Sequence, residues 1–168
     1  AEQSYVKLMA CQEEIGLKFI VPNDFELIDA MVALVQQIVE GMDFTDHTGK
    51  YRIGVAVREA LANAMFRGNL ELSKSEMLDE SERLLYGQEL GLVDQRRCEP
   101  PYADRRIHIA LQVDNQEARY VIRDDGNGFD HKAVMAQQDD RDTVGGANTH
   151  QGQGLVLMRS FMDEVIFN

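Results

Sequence analysis

Ile107, Ile109, Leu111 and Val113 alternate with His108, Ala110 and Gln112, and after the turn Asp114-Asn115-Gln116-Glu117 a second run returns from Ala118 to Arg123. A period of two sends successive side chains to opposite faces, so the stretch predicts an antiparallel hairpin with one apolar face. Leu17, Phe19 and Val21 alternate in the same way and predict a further strand, closed by the turn and helix N-cap of Pro22-Asn23-Asp24. Two longer stretches change to helical spacing. Phe25, Ile28, Val32, Val35 and Val39 mark one apolar face between 24 and 41, and Ile53, Val57, Leu61, Ala64 and Met65 mark another between 46 and 67. A shorter helix is predicted from Leu155 to Met162. Strands and helices that each carry one apolar face bury them against each other, which predicts an α/β (α+β) two-layer sandwich.

The remaining segments are organised differently. Residues 1–15 are polar and weakly amphipathic, a lead-in that reads as a linker or a short helix before a domain spanning 16–168. Residues 71–104 hold nine acidic and four basic side chains and end in Pro100-Pro101. They read as an acidic surface insertion with an exposed helix over 75–90. Residues 137–153 are polar and glycine-containing, as a lid would be. The closing Asp163-Glu164-Val165-Ile166-Phe167-Asn168 reads as a strand cut short, so the chain is expected to be truncated at its C-terminus.

Composition narrows the function. The 168 residues are 44% hydrophobic and 27% charged, ordinary for one globular domain. The net charge of −12 opposes binding to phosphate backbones or anionic lipid, so neither nucleic acid nor membrane is an expected partner. No apolar run approaches the roughly 18 residues of a membrane span, and no secretory pattern opens the chain. Cys11 and Cys98 form neither a disulfide scaffold nor a metal spacing, which points to a reducing, cytoplasmic setting.

Several glycine motifs are excluded in turn. Gly49-Lys50 is followed by Tyr51, which rules out a phosphate-binding P-loop, and no third glycine completes a dinucleotide fingerprint. Asp124-Asp125-Gly126-Asn127-Gly128 lacks the closing Glu of a calcium loop, since Met135 and Ala136 fill those places. What is left is a constellation. Glu59 and Asn63 lie four apart on one helix face; Asp124-x-Gly126-x-Gly128 follows a strand; Gly152-x-Gly154-Leu155 opens a helix. A carboxylate and a carboxamide on one wall suit a hard cation and water, and glycines at a helix start let backbone N–H groups approach phosphate.

In these residues the chain resembles the GHKL (Bergerat-fold) ATPases. Glu59 to Asn69 resembles their asparagine box and Asp124 to Phe129 their first glycine box; Gly152 to Val165 resembles the second, in the form found in anti-sigma-factor serine kinases. The resemblance implies a mixed, mostly antiparallel sheet with helices on one face and ATP between helices and lid. It implies Glu59 as general base, Asn63 as Mg²⁺ ligand and Asp124 as the group that binds the adenine amine. Gly126 and Gly128 would shape that pocket, while Gly152, Gly154 and Leu155 would serve the lid hinge and the phosphates. Arg67 stands where the family often has His, and Gln153 where a basic residue is common; Arg67 keeps a fixed charge for phosphate. The expected function is an ATP- and Mg²⁺-dependent serine/threonine protein kinase. Its substrate would be an antagonist (anti-anti-sigma) protein, with a sigma factor as further partner and a homodimer as the expected assembly. A non-catalytic ATP-sensing module and the catalytic domain of a histidine kinase are the alternatives.

Overall fold

The computed structural model describes residues 2–89, 91–128 and 153–167. Strands β1 (Glu14–Val21), β2 (Ile107–Asp114) and β3 (Ala118–Asp124) form an antiparallel sheet in the order β1-β2-β3. The register keeps the apolar set on one face. Phe19 and Ile122 flank Ile109, Leu17 and Tyr120 flank Leu111, and Ile15 and Ala118 flank Val113. The last such row is Val21, Ile107 and Asp124, so the face ends in a carboxylate. That single polar substitution in an apolar row is the first structural mark of a site.

Helices α1 (Glu2–Ala10), α2 (Glu26–Gly41) and α3 (His47–Ala62) follow the first half of the chain. α2 and α3 lie on the apolar face and bury Ile28, Val32, Val35, Val39, Ile53, Val57 and Leu61 with the four β2 residues in one core. Asp24 Oδ1 accepts the Glu26 N–H at 3.1 Å, and Asp46 Oδ1 accepts the Gly49 N–H at 2.7 Å, which satisfies donors that a helix start leaves open. α1 is the short helix that was one of the two forms expected of the lead-in, and it touches the body through Met9 against Gly41, with Tyr5, Val6 and Leu8 exposed.

The helix expected over 46–67 changes pitch. After Ala62 the chain continues as a π-helical turn, Asn63–Asn69, closed by Leu70 N–H to Met65 O at 2.9 Å and Leu72 N–H to Phe66 O at 2.8 Å. Such wide turns favour functional sites because the extra residue re-aims the backbone.

The acidic segment folds as α4 (Lys74–Leu85), α5 (Gly91–Cys98) and a 3₁₀ turn at Tyr102–Asp104. It differs from the surface insertion expected, because Leu72 and Val93 are buried in the main core and Met77, Leu92 and Tyr102 pack against it. Glu80, only 6% exposed, accepts the N–H groups of Leu92 and Val93 and so caps α5. Helix α6 (Gln153–Phe161) lies on α3 through a second small core of Ala56, Leu155 and Met158. Among the described residues the expected final strand has no sheet partner. Val165 and Phe167 pack on that second core while Ile166 faces out, so the alternation survives without a sheet neighbour. The expected lid over 137–153 lies outside the described residues, apart from Gln153 at the start of α6.

Candidate functional site

α3 and the π-helical turn make one rod, and the expected site residues are distributed along it. The backbone N–H of Asn63 reaches the carbonyls of both Glu59 and Ala60, so α spacing persists through this pair. Glu59 and Asn63 therefore stand one turn apart on one face, as their sequence spacing predicted.

At the Glu59 end the rod meets α6. A side chain built on Gly154 would collide with Glu59 Oε2, so the carboxylate lies directly on the Gly154 α-carbon. Glu59 is half-buried, and that desolvation pushes its carboxyl above the usual range, with Arg58 offsetting part of the effect. A carboxylate made more basic in this way is suited to taking a proton. Leu155, 4% exposed, sits beneath this contact beside Ala56 and Met158, where its role is to hold α6 on α3. Gly152 lies outside the described residues.

The other end meets the loop after β3. Asp124 Oδ1 accepts the Gly126 N–H at 3.0 Å, folding the loop back on itself. A Cβ on Gly68 would collide with the Asp124 carboxyl group, and one on Gly126 with the Gly68 carbonyl oxygen. Two missing side chains thus let the π-helical turn and the loop touch backbone to backbone. Gly128 takes a left-handed φ of 77°, open to glycine at little cost. Between the two ends lie Asn63 and the half-buried Arg67. From Glu59 to Gly68 the rod spans at most about 13 Å at the α-helical rise.

Sequence reasoning missed the residue that fixes this end. Asn69 is fully buried. Its Nδ2 donates to Asn23 Oδ1 at 2.8 Å, its Oδ1 accepts the Asp125 N–H at 2.8 Å, and its carbonyl accepts from Arg105 Nη1 at 2.7 Å. Asn23 in turn donates to the Tyr102 carbonyl at 2.9 Å. Asn69 therefore ties the rod to the loop after β3 and to the turn after β1. An asparagine standing directly before the apolar Leu70 was the available signal. Asp125 is held further by the Arg106 N–H at 3.0 Å, which lowers its carboxyl below the usual range, with a smaller contribution from His108 at 3.0 Å.

The donor chemistry fits magnesium carried by phosphate. Among the described residues no three His, Cys, Asp or Glu side chains converge on a metal position. Beside the Gly154 contact the rod offers the Asn63 amide oxygen and the Glu59 carboxylate, while the Asn69 amide oxygen is already engaged by the Asp125 N–H. Asn63 and Glu59 suit an ion that keeps waters and takes its other ligands from phosphates.

Among the described residues no helix is long and apolar enough to cross a membrane. No curated protein matches the chain. The family model of the histidine kinase-like ATPase domain matches residues 21–168, a stretch that contains the rod, the loop after β3 and α6, and the chain belongs to that family of ATP-binding domains.

Proposed function

We propose that this domain is an ATP-dependent serine/threonine protein kinase of the anti-sigma type, acting in the cytoplasm within a partner-switching pathway. The observation that carries the reading is the partly desolvated Glu59 carboxylate packed on Gly154. A domain that only held nucleotide would gain nothing from keeping a carboxylate half out of water at that position.

In this reading Asp124 accepts a hydrogen bond from the adenine amine, and Gly126 and Gly128 keep the wall thin enough for the base to approach. The phosphate chain runs along the rod past Asn63 and Arg67 toward Gly154, and the resemblance gives Gly152 a share in the same phosphate contact. Asn63 would hold magnesium through its amide oxygen, and the ion would supply charge neutralisation at the phosphates. Glu59 orients the incoming Ser or Thr hydroxyl of an antagonist protein and takes its proton. The hydroxyl oxygen bonds to the γ-phosphorus while the bond to the ADP oxygen breaks, and ADP leaves. A sigma factor as second partner and a homodimer as assembly belong to the same proposal.

The test is phosphotransfer from γ-labelled Mg-ATP to an arrayed library of Ser- and Thr-containing peptides. Acid-stable label with the wild type, lost in Glu59→Gln while ATP binding is kept, supports the kinase. Equal transfer by both proteins contradicts the assignment of the base. Acid-labile label on histidine would favour histidine kinase chemistry, and tight ATP binding without any label a sensing module.

A further inference from the structure

Glu71 follows the π-helical turn with a left-handed φ of 51°, a backbone state that residues bearing a Cβ keep only where neighbours hold them. Two arginines hold this one. Arg96 Nη1 donates to the carbonyls of Leu70 at 2.7 Å and Glu71 at 2.9 Å, while its Nη2 reaches Glu76 Oε1 at 2.9 Å. Arg105 Nη1, already on the Asn69 carbonyl, pairs with Glu71 Oε1 at 2.9 Å. The Tyr102 ring takes both guanidinium groups, 5.4 and 5.1 Å from its centre. The same Oε1 of Glu71 accepts from Asn127 Nδ2 at 2.6 Å, and Asn127 is the residue between Gly126 and Gly128.

We propose that Glu71 is a positioning residue for the Asp124–Gly128 loop: Arg96 fixes its backbone, Arg105 fixes its carboxylate, and its Oε1 holds Asn127 so that the loop is preset for its ligand. The proposal rests on the reading of that loop as the adenine wall. A loop with two glycines has many open states, and a ligand that must select one binds more weakly in proportion to its population. The acidic segment 71–104 is then the brace of the pocket, since it supplies Glu71, Arg96 and Tyr102, with Arg105 directly after it.

The experiment is calorimetric titration of the full chain with ATP, ADP and adenosine in five proteins: wild type, Glu71→Asn, Glu71→Gln, Asn127→Ala and the double variant of Glu71→Asn with Asn127→Ala. Asn tolerates the left-handed backbone but is one methylene too short to reach Asn127. Glu71→Asn is expected to weaken all three ligands by one common factor of about 3 to 10, as expected when only the competent fraction of the loop falls. The ATP to ADP affinity ratio stays unchanged, because the phosphate end is untouched. Glu71→Gln, which keeps length and acceptor, restores affinity to within about twofold of wild type by the same relation. Asn127→Ala, exposed and no threat to folding, matches Glu71→Asn, and the double variant is no weaker than either single one. Unchanged affinities in Glu71→Asn and Asn127→Ala, additive losses, or a changed ATP to ADP ratio would overturn the proposal. Wild-type protein that binds none of the three ligands would overturn the adenine-wall reading and the brace together.

Discussion

The Glu59 carboxylate rests on the α-carbon of Gly154, so the first turn of α6 meets the last turn of α3 through the Glu59 side chain, with none from Gly154 to hold it off. The atom a new Cβ would strike is Oε2, the free end of a side chain able to swing away. Gly154→Ala is therefore expected to fold normally, with a melting temperature unchanged or raised by a few degrees through helix propensity worth up to about 1 kcal/mol. Phosphotransfer falls at least about tenfold, the effect of 1.36 kcal/mol on the barrier, because Glu59 is moved. Thermal melts and transfer assays on one preparation check both halves.

Glu59 also sets a pH signature. Burial raises its folded-state carboxyl above its ordinary value near 4.5, so the folded protein binds more protons than the unfolded chain between those two values. Stability contributed by this group is then lost as pH rises through that window. Glu59→Gln removes the buried charge and is expected to melt slightly above wild type at pH 7, with the gap closing as pH falls below 4.5. Melts at pH 7 and pH 4 decide it, and a gap of equal size at both would assign the effect to packing.

Gly126→Ala is expected to behave unlike Gly154→Ala. Its Cβ would strike the Gly68 carbonyl oxygen, which is backbone and cannot rotate aside. The loop after β3 must lift off the π-helical turn, at an overpacking cost of about 1–3 kcal/mol. Adenosine affinity falls with it by at least about tenfold, or 1.4 kcal/mol. Denaturant titration and adenosine binding provide the two readouts.

Asn69→Ala leaves Asn23 Oδ1 and the Asp125 N–H without the partner that each has now. At about 1–3 kcal/mol for each polar group so stranded, the variant is expected to lose roughly 2–6 kcal/mol of unfolding free energy. Urea unfolding measures this, and a loss under 1 kcal/mol would mean that water replaces the amide.

The parts of the fold legible in sequence were those set by local period. The β2 alternation, the stripe of α3, that of α2 from Ile28 to Val39, and the four-residue step from Glu59 to Asn63 hold in the structure, whereas Phe25, expected on the α2 stripe, precedes the helix and is exposed. What escaped was set by distant partners. No residue pattern separates an α from a π turn at 63–69; hydrogen bonds on Asn69 and on the Leu70 carbonyl, from segments far along the chain, accompany the wider pitch. The charge of 71–104 suggested a solvated face, yet Leu72 and Val93 are enough to anchor it in the core. Alternation over 163–168 suggested a strand, but a strand also needs a neighbour, and Val165 and Phe167 pack on α6 residues instead. Within the candidate site, Glu59 and Asp124 could be singled out from their neighbours in sequence, whereas the contacts of Asn69 and Glu71 are to residues tens of positions away.

The central claim is that the rod from Glu59 to Asn69 carries an ATP site with its base end at Asp124. Calorimetric titration of the chain with ATP, with and without Mg²⁺, beside the Asp124→Asn variant, tests it most directly. The account predicts magnesium-enhanced binding by the wild type and loss of most of that affinity in the variant. Absence of binding at millimolar ATP, or equal binding by the two proteins, would contradict it.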